Sequence, residues 1–177
     1  MRIQPEAIQK FNEASLEIHR RRFAAMQDEI PHADDLVKKL RAFQVAIPSW
    51  ALGAGGTRFG RFPGWGEPAN LEQKIEDIGL IHALNRAAGA ISLHIPWDIP
   101  TDPAGIKKQA AELNIQFDAV NSNTFQDQPG QLHSYKFGSM QHVNSDVRRQ
   151  AVRHNLEVIQ YGNELGSKSI KIGRAHV

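Results

Sequence analysis

The sequence predicts an α/β fold in which parallel strands alternate with helices. From residue 43 onward, short apolar runs alternate with stretches of helical periodicity, a pattern typical of βαβ units joined by right-handed crossovers. Three of the apolar runs end in polar and aromatic residues, as strands do where their carboxyl ends face a ligand. The composition, 41% hydrophobic and 23% charged, is typical of one globular domain.

Two helices are expected before the first strand. Residues 5–28 place apolar side chains at helical intervals among many charges. Asp34 or Asp35 is expected to cap a second, shorter helix that runs through Arg41. Residues 1–42 are therefore interpreted as an N-terminal helical extension of the domain that follows.

Four strands and three intervening helices are expected in the remainder of the chain. In order, these are strand 43–47, helix 70–88, strand 90–96, helix 102–114, strand 115–120, helix 145–165 and strand 169–172. Asn70 and Ser145 are the expected N-caps of their helices, and Gly89 and Gly166 the expected stops. The expected core positions of the last helix are Val147, Ala151, Val152, Leu156 and Ile159. Half of a closed eight-stranded barrel and a small open sheet both fit this count.

Composition and charge exclude several classes of function. The 21 Lys and Arg against 19 Asp and Glu leave a formal charge of +2, which does not indicate a nucleic-acid partner. Without cysteine there is no disulfide, thiolate metal site or cysteine nucleophile. Because no apolar run approaches the ~18 residues of a membrane span and the N-terminus lacks a signal-peptide pattern, we expect a cytoplasmic protein without a membrane partner.

The first candidate site follows the strand at residues 43–47. The apolar run ends beside Trp50 and opens into a glycine-rich loop that carries Phe59. The run Gly53–Gly56 lacks the lysine of a phosphate loop, so phosphate binding is not favoured. Aromatic side chains at strand ends stack on the apolar face of a sugar or close the end of a barrel, and both interpretations stay open.

His94 stands in an otherwise apolar strand, and Asp98 follows it by four residues. A carboxylate near an imidazole fixes its tautomer and raises its proton affinity, which suits the pair to general acid–base work; a structural histidine is the alternative. Trp97 and Phe125 follow neighbouring strands, and the polar loop 121–140 suits either polyol recognition or a well-bonded surface loop. The remaining histidines lack a compact metal-ligand spacing.

The C-terminal segment 172–177, IGRAHV, needs separate treatment. With one codon choice it back-translates to the start of a common sequencing-library adapter. We therefore interpret 172–177 as a non-native tail and expect the chain to be an N-terminal fragment whose genuine sequence ends near Lys171. A strand end followed by a surface tail is the alternative.

At these residues the chain resembles bacterial L-rhamnose isomerases of the broad-specificity type first known from pseudomonads. The resemblance covers residues 43–171 and, more loosely, 5–42, and its motifs are VAIPSW, GTRF, SLHIPWD, FDAVNSNTF and GSK. It implies that 43–171 form the N-terminal half of a (β/α)8 TIM barrel related to xylose isomerase, preceded by one or two helices. It also implies interconversion of L-rhamnose and L-rhamnulose, with activity on other aldoses, by hydrogen transfer between C1 and C2.

The resemblance also implies roles for individual residues. His94 is the expected catalytic, substrate-contacting residue, and Trp50 and Phe125 are expected to line the substrate pocket. Phe59 is expected to reach the active site of a neighbouring subunit, which implies a homotetramer. The family uses divalent cations, usually Mn²⁺, whose ligands are expected to lie C-terminal to the resembling segment, so no metal ligand is expected in this chain.

Other functions stay open at this point. One alternative is a non-catalytic half-barrel that binds sugar or mediates oligomerisation; another is a sugar epimerase or an abasic-site endonuclease of related fold. The near-neutral charge disfavours the nuclease, because phosphate contacts need a basic groove. If the chain is the whole molecule, its open apolar barrel edge predicts association rather than activity.

Overall fold

A computed structural model describes residues 4–26, 29–53 and 66–173 of the chain. Within these ranges it has five α-helices and a four-stranded parallel sheet, which confirms the predicted α/β class. In chain order the elements are α1 (Pro5–Met26), α2 (Ala33–Ala42), β1 (Ala46–Pro48), α3 (Leu71–Asn85), β2 (Ala90–Ile95), α4 (Pro103–Glu112), β3 (Gln116–Ser122), α5 (Ser145–Leu165) and β4 (Ser169–Ile172). A short 3₁₀ turn at Ser49–Ala51 follows β1. The helices of the described ranges are too short or too polar to cross a membrane.

The four strands lie side by side in the order of the sequence, and every neighbouring pair is parallel. Ala46 pairs with Ala90, and His94 pairs with Asn121. Because parallel strands point the same way, the carboxyl ends of β1, β2, β3 and β4 share one edge of the sheet. This edge holds the candidate site.

The core lies between one face of the sheet and the helices α3, α4 and α5. Alternation along β2 buries Ile91, Leu93 and Ile95 on the helix side and turns Ser92 and His94 to the other face. The buried cluster comprises Leu71, Ile75, Ile78, Ile91, Leu93, Ile95, Ile106, Ala110, Ile115, Phe117, Val120, Val158 and Leu165. His94 is therefore carried on a strand whose other face is fixed by the core.

The ends of β1 and β3 differ from the predicted ones. β1 starts at Ala46 rather than at Phe43, because the backbone N–H of Phe43 caps α2 by donating to Leu40. β3 continues through Ser122 rather than stopping at Val120, since its last residues pair with β4. Asn121 and Ser122 therefore lie in the strand itself, at the carboxyl edge of the sheet, rather than in the loop that follows it.

The helix starts were only partly predicted. α2 is capped by His32, in a left-handed conformation with φ 62°, and Asp34 and Asp35 lie in its first turn. The predicted N-cap of α3 is confirmed, because the side chain of Asn70 accepts a hydrogen bond from the N–H of Gln73. At the start of α5 the capping side chain is Asn144 rather than Ser145, and it accepts from the N–H of Asp146.

The C-terminal ends of the helices were also predicted only in part. α3 stops three residues before the predicted glycine, because Arg86 takes the left-handed conformation, with φ 59°, and donates its N–H to His82. Gly166 ends α5 as predicted, with φ 73°. The bounds of α5 and β4 match those expected from the sequence.

The buried face of α5 was assigned partly wrongly. Val147 and Ala151 are buried as expected, but Val152, Leu156 and Ile159 are 48%, 60% and 37% exposed. The face that packs on the sheet is rotated, and its buried members include Asn155, Val158, Gly162 and Leu165. The end of the Ile170 side chain of β4 occupies the space that a Cβ at position 162 would take.

Candidate functional site

Three strand ends converge on one imidazole ring. The ring of His94, on β2, has its centroid 5.4 Å from that of Trp50, 4.5 Å from that of Trp97 and 5.7 Å from that of Phe125. Trp50 lies in the 3₁₀ turn after β1, Trp97 in the turn after β2, and Phe125 shortly after β3. We call these four residues the aromatic cluster.

The structure thus brings together three residues that the sequence selected separately: His94, Trp50 and Phe125. Trp97, noted only as an aromatic residue at a strand end, joins them edge-on, with its ring plane at 88° to the imidazole. Phe59 and the rest of the glycine-rich loop after Gly53 lie outside the described residues, as does the segment 174–177.

Burial governs the electrostatics of His94. Desolvation by the surrounding rings lowers the pKa of His94 from 6.5 to about 4, and the nearby charge of Asp98 opposes this shift without cancelling it. Asp98 thus raises the proton affinity of His94, as expected from the sequence, but burial lowers it by more, so the pKa falls below its ordinary value. The imidazole is neutral at neutral pH, and its Nε2 atom is buried without a hydrogen-bond partner among the described residues.

Asp98 does not bond to the His94 ring but to the backbone that carries it. Its Oδ2 accepts from the N–H of His94 at 2.7 Å and from Oγ of Ser49 at 2.5 Å. Its Oδ1 accepts from Nζ of Lys74 at 2.7 Å, and the side chains of this ion pair are 0% and 3% exposed. The carboxylate therefore joins the ends of β1 and β2 to helix α3.

A second histidine links the ends of β2 and β3. His154, on α5, accepts a hydrogen bond at Nε2 from the N–H of Asn123, at 3.1 Å, and also bonds the backbone of Ile95. Burial is the main cause that lowers the pKa of His154. Beside it, Asn121 donates from Nδ2 to the carbonyl of Leu93 at 2.8 Å. The strand ends are thus held by side chains as well as by the sheet.

Sequence reasoning missed Ser49, Lys74 and His154 as contributors to this site. One signal for Lys74 was available: it lies three residues after Leu71 and four before Ile78, so it interrupts the apolar stripe of α3 with a charge. Ser49 and His154 carry no such local signal, because their partners lie 49 and 31 residues away in the chain.

The loop after β3 is organised by Asp127. Its Oδ1 accepts from the N–H of Tyr135 at 2.6 Å, and its Oδ2 accepts from Oγ of Ser134 at 2.5 Å. Gln150 on α5 donates to the carbonyl of His133 at 2.8 Å. Much of the polarity of this loop is therefore used within the loop and against α5, as a well-bonded surface loop requires.

The described residues do not fit a divalent cation. Within residues 4–26, 29–53 and 66–173, no group of three or more histidine, aspartate or glutamate side chains is arranged to hold a metal ion. The cation expected from the resemblance therefore finds no ligand set in this part of the chain.

Comparison with known proteins gives two similar curated relatives, while no family model matches the chain. The chain is 55% identical over 139 residues to a protein of Rhizobium meliloti named probable sugar isomerase, a match that covers 78% of the chain and 32% of that protein. It is 45% identical over 174 residues to a protein of Mesorhizobium japonicum that is also named probable sugar isomerase. This match covers 96% of the chain and 40% of that protein. The chain thus spans less than half the length of either relative. Both similarities are to proteins named probable sugar isomerase.

Proposed function

We propose that this chain contributes the substrate-binding wall and a catalytic histidine to an aldose–ketose isomerase that converts L-rhamnose to L-rhamnulose and accepts other aldoses. One observation carries the proposal: the neutral imidazole of His94 offers an unpaired Nε2 inside a cluster of aromatic rings at the carboxyl edge of a parallel sheet. The two relatives support sugar isomerisation in general. The choice of L-rhamnose comes from the resemblance of the motifs around His94 and Trp50.

The aromatic cluster supplies the two kinds of contact that a sugar needs. The faces and edges of Trp50, Trp97 and Phe125 pack against the C–H groups of a pyranose. In the tautomer that carries its proton on Nδ1, His94 accepts at Nε2 from a sugar hydroxyl. As the ring opens, the imidazole takes the proton of the anomeric hydroxyl and passes it to the ring oxygen O5 while the C1–O5 bond breaks.

The proposal includes a barrel and a divalent cation. The sequential order of β1, β2, β3 and β4 supports the first half of a (β/α)8 barrel, because every crossover moves one strand in the same direction. A cation, Mn²⁺ by the resemblance, would stabilise charge that develops on the sugar oxygens. The described residues do not fit it, so we assign it no ligand in this chain.

The test is aldose–ketose conversion by the product of the complete reading frame that encodes this chain. We expect L-rhamnose to be converted to L-rhamnulose in the presence of Mn²⁺, and His94→Asn to lower kcat/KM roughly 100-fold or more, as loss of a general acid–base does. His19→Asn, at an exposed position on α1, is the matched control and should leave kcat/KM unchanged. Failure to convert any aldose, or full activity of His94→Asn, would contradict the proposal.

A non-catalytic sugar-binding module is the second candidate, favoured by the presence of the whole aromatic cluster within the described residues. It predicts saturable heat when the 177-residue chain is titrated with L-rhamnose in EDTA, without formation of a ketose. Absence of heat removes this candidate. An epimerase would differ from both the isomerase and the binding module in its product, because it would convert an aldose to another aldose, or a ketose to another ketose.

A further inference from the structure

Lys74 is a lysine in the hydrophobic core. Its side chain is 3% exposed and lies on the face of α3 that also buries Leu71, Ile75 and Ile78. An ammonium group in such surroundings is costly unless a charge and hydrogen bonds compensate it. Its compensation is the buried carboxylate of Asp98, 2.7 Å from Nζ.

The same carboxylate is linked to the backbone that carries three of the four rings of the aromatic cluster. Ser49, which donates to Oδ2, directly precedes Trp50; His94 donates its own N–H to Oδ2; and Trp97 directly precedes Asp98. A displacement of the carboxylate therefore moves all three rings. Lys74 is the cation that pairs with Asp98 among the described residues.

We propose that Lys74 is a positioning residue for sugar recognition: through the carboxylate of Asp98 it sets the spacing of the Trp50, His94 and Trp97 rings. The inference rests on the function proposed above for the aromatic cluster. Lys74 does not need to touch the sugar to act in this way. Displacement of binding groups by about 1 Å can cost orders of magnitude in rate, so the ion pair matters for recognition as well as for folding.

The experiment compares wild type with Lys74→Met, Asp98→Asn and the double variant Lys74→Met/Asp98→Asn. Near-ultraviolet circular dichroism reports on the tryptophan surroundings without sugar, and calorimetric titration with L-rhamnose gives the dissociation constant per folded site. Each single variant leaves one buried charge unpaired, whereas the double variant removes both and keeps an amide oxygen that accepts from Ser49 and His94. Lys108→Met, at a position 80% exposed on α4, is the matched control.

We expect each single variant to alter the tryptophan spectrum and to raise the dissociation constant roughly tenfold or more, and the double variant to return both toward wild type. A folded Lys74→Met with wild-type spectrum and affinity would overturn the inference, as would a double variant no better than the single ones. If Lys74→Met does not fold, the Asp98→Asn variant provides the test. A folded Asp98→Asn with the affinity and the tryptophan spectrum of wild type would then overturn the inference. If no form binds L-rhamnose while the spectra change and recover as expected, the proposed function fails, and the role of Lys74 in sugar recognition fails with it; the effect of the ion pair on the spacing of the rings stands.

Discussion

The imidazole of His94 lies 4.5 Å from the Trp97 ring and 5.4 Å from the Trp50 ring, and this apolar enclosure lowers its pKa to about 4. A histidine with so low a pKa is neutral in the folded chain at any pH near neutrality, so its unprotonated ring nitrogen accepts hydrogen bonds there. Asp98 acts on it mainly through the backbone, as a fixed acceptor for the N–H of His94.

This shift makes stability depend on pH in a defined window. Between the ordinary pKa of 6.5 and the folded value of about 4, the unfolded chain binds a proton at His94 that the folded chain does not. The free energy of unfolding must therefore fall as the pH is lowered through this window. We expect urea denaturation to show this decrease in wild type, and His94→Asn to show a shallower one.

The control for this prediction is His19→Asn, because that side chain is exposed on α1. It should retain the pH dependence of the wild-type protein. Because burial also lowers the pKa of His154, part of the dependence should survive in His94→Asn. An equal slope in wild type and His94→Asn would show that His94 is not enclosed as described.

At the scale of elements, the bounds of α5 were predicted correctly, but its buried face was not. The face of α5 that packs on the sheet is not the one that its apolar residues indicate. Asn155 and Gly162 contribute to the buried face, while Leu156 and Ile159 point away from it. At Gly162 the absence of a Cβ leaves room for the end of the Ile170 side chain of β4.

A pair of truncations on α5 tests this assignment. Val158 is 0% exposed, so Val158→Ala should lower the free energy of unfolding by about 2 kcal/mol through lost burial and a residual cavity. Leu156 is 60% exposed, so Leu156→Ala should change it by less than about 0.5 kcal/mol. Chemical denaturation measures both, and a larger cost for Leu156→Ala than for Val158→Ala would mean that the other face of α5 is the buried one.

At the scale of the whole molecule, α1 is attached to the α/β core more lightly than the helices α3, α4 and α5. Phe11 and Ile18 are 66% and 53% exposed, and a hydrogen bond from Nδ2 of Asn12 to the carbonyl of Ala83 joins α1 to α3. A helix with few buried apolar contacts opens at a lower free energy than the core strands.

We therefore expect the backbone amides of α1 to exchange with solvent faster than those of β2, by at least about two orders of magnitude in dilute solution. Hydrogen–deuterium exchange followed by mass spectrometry measures the difference. Equal protection of α1 and β2 would contradict the light attachment. Protection of α1 that rises with protein concentration would indicate that a second copy covers its apolar side chains.

The class of the fold and much of its local structure could be predicted from the sequence alone. Helical periodicity, the cap at Asn70 and the stop at Gly166 act within a few residues, so the bounds of α5 and β4 could be predicted from the sequence. The alternation of strands and helices also placed Trp50, His94 and Phe125 at strand ends, because parallel strands deliver their carboxyl ends to one edge.

The contacts between those residues, and the pKa of His94 that results from them, depend on the tertiary structure. The partners of Asp98 lie 49 and 24 residues away at Ser49 and Lys74, and the rings that lower the pKa of His94 come from three different connections. Burial and hydrogen bonding between distant residues are properties of the packed chain, and no local pattern encodes them. Asp98 therefore raises the pKa of His94 as the sequence predicted, whereas the larger, opposite effect of burial becomes visible only in the packed structure.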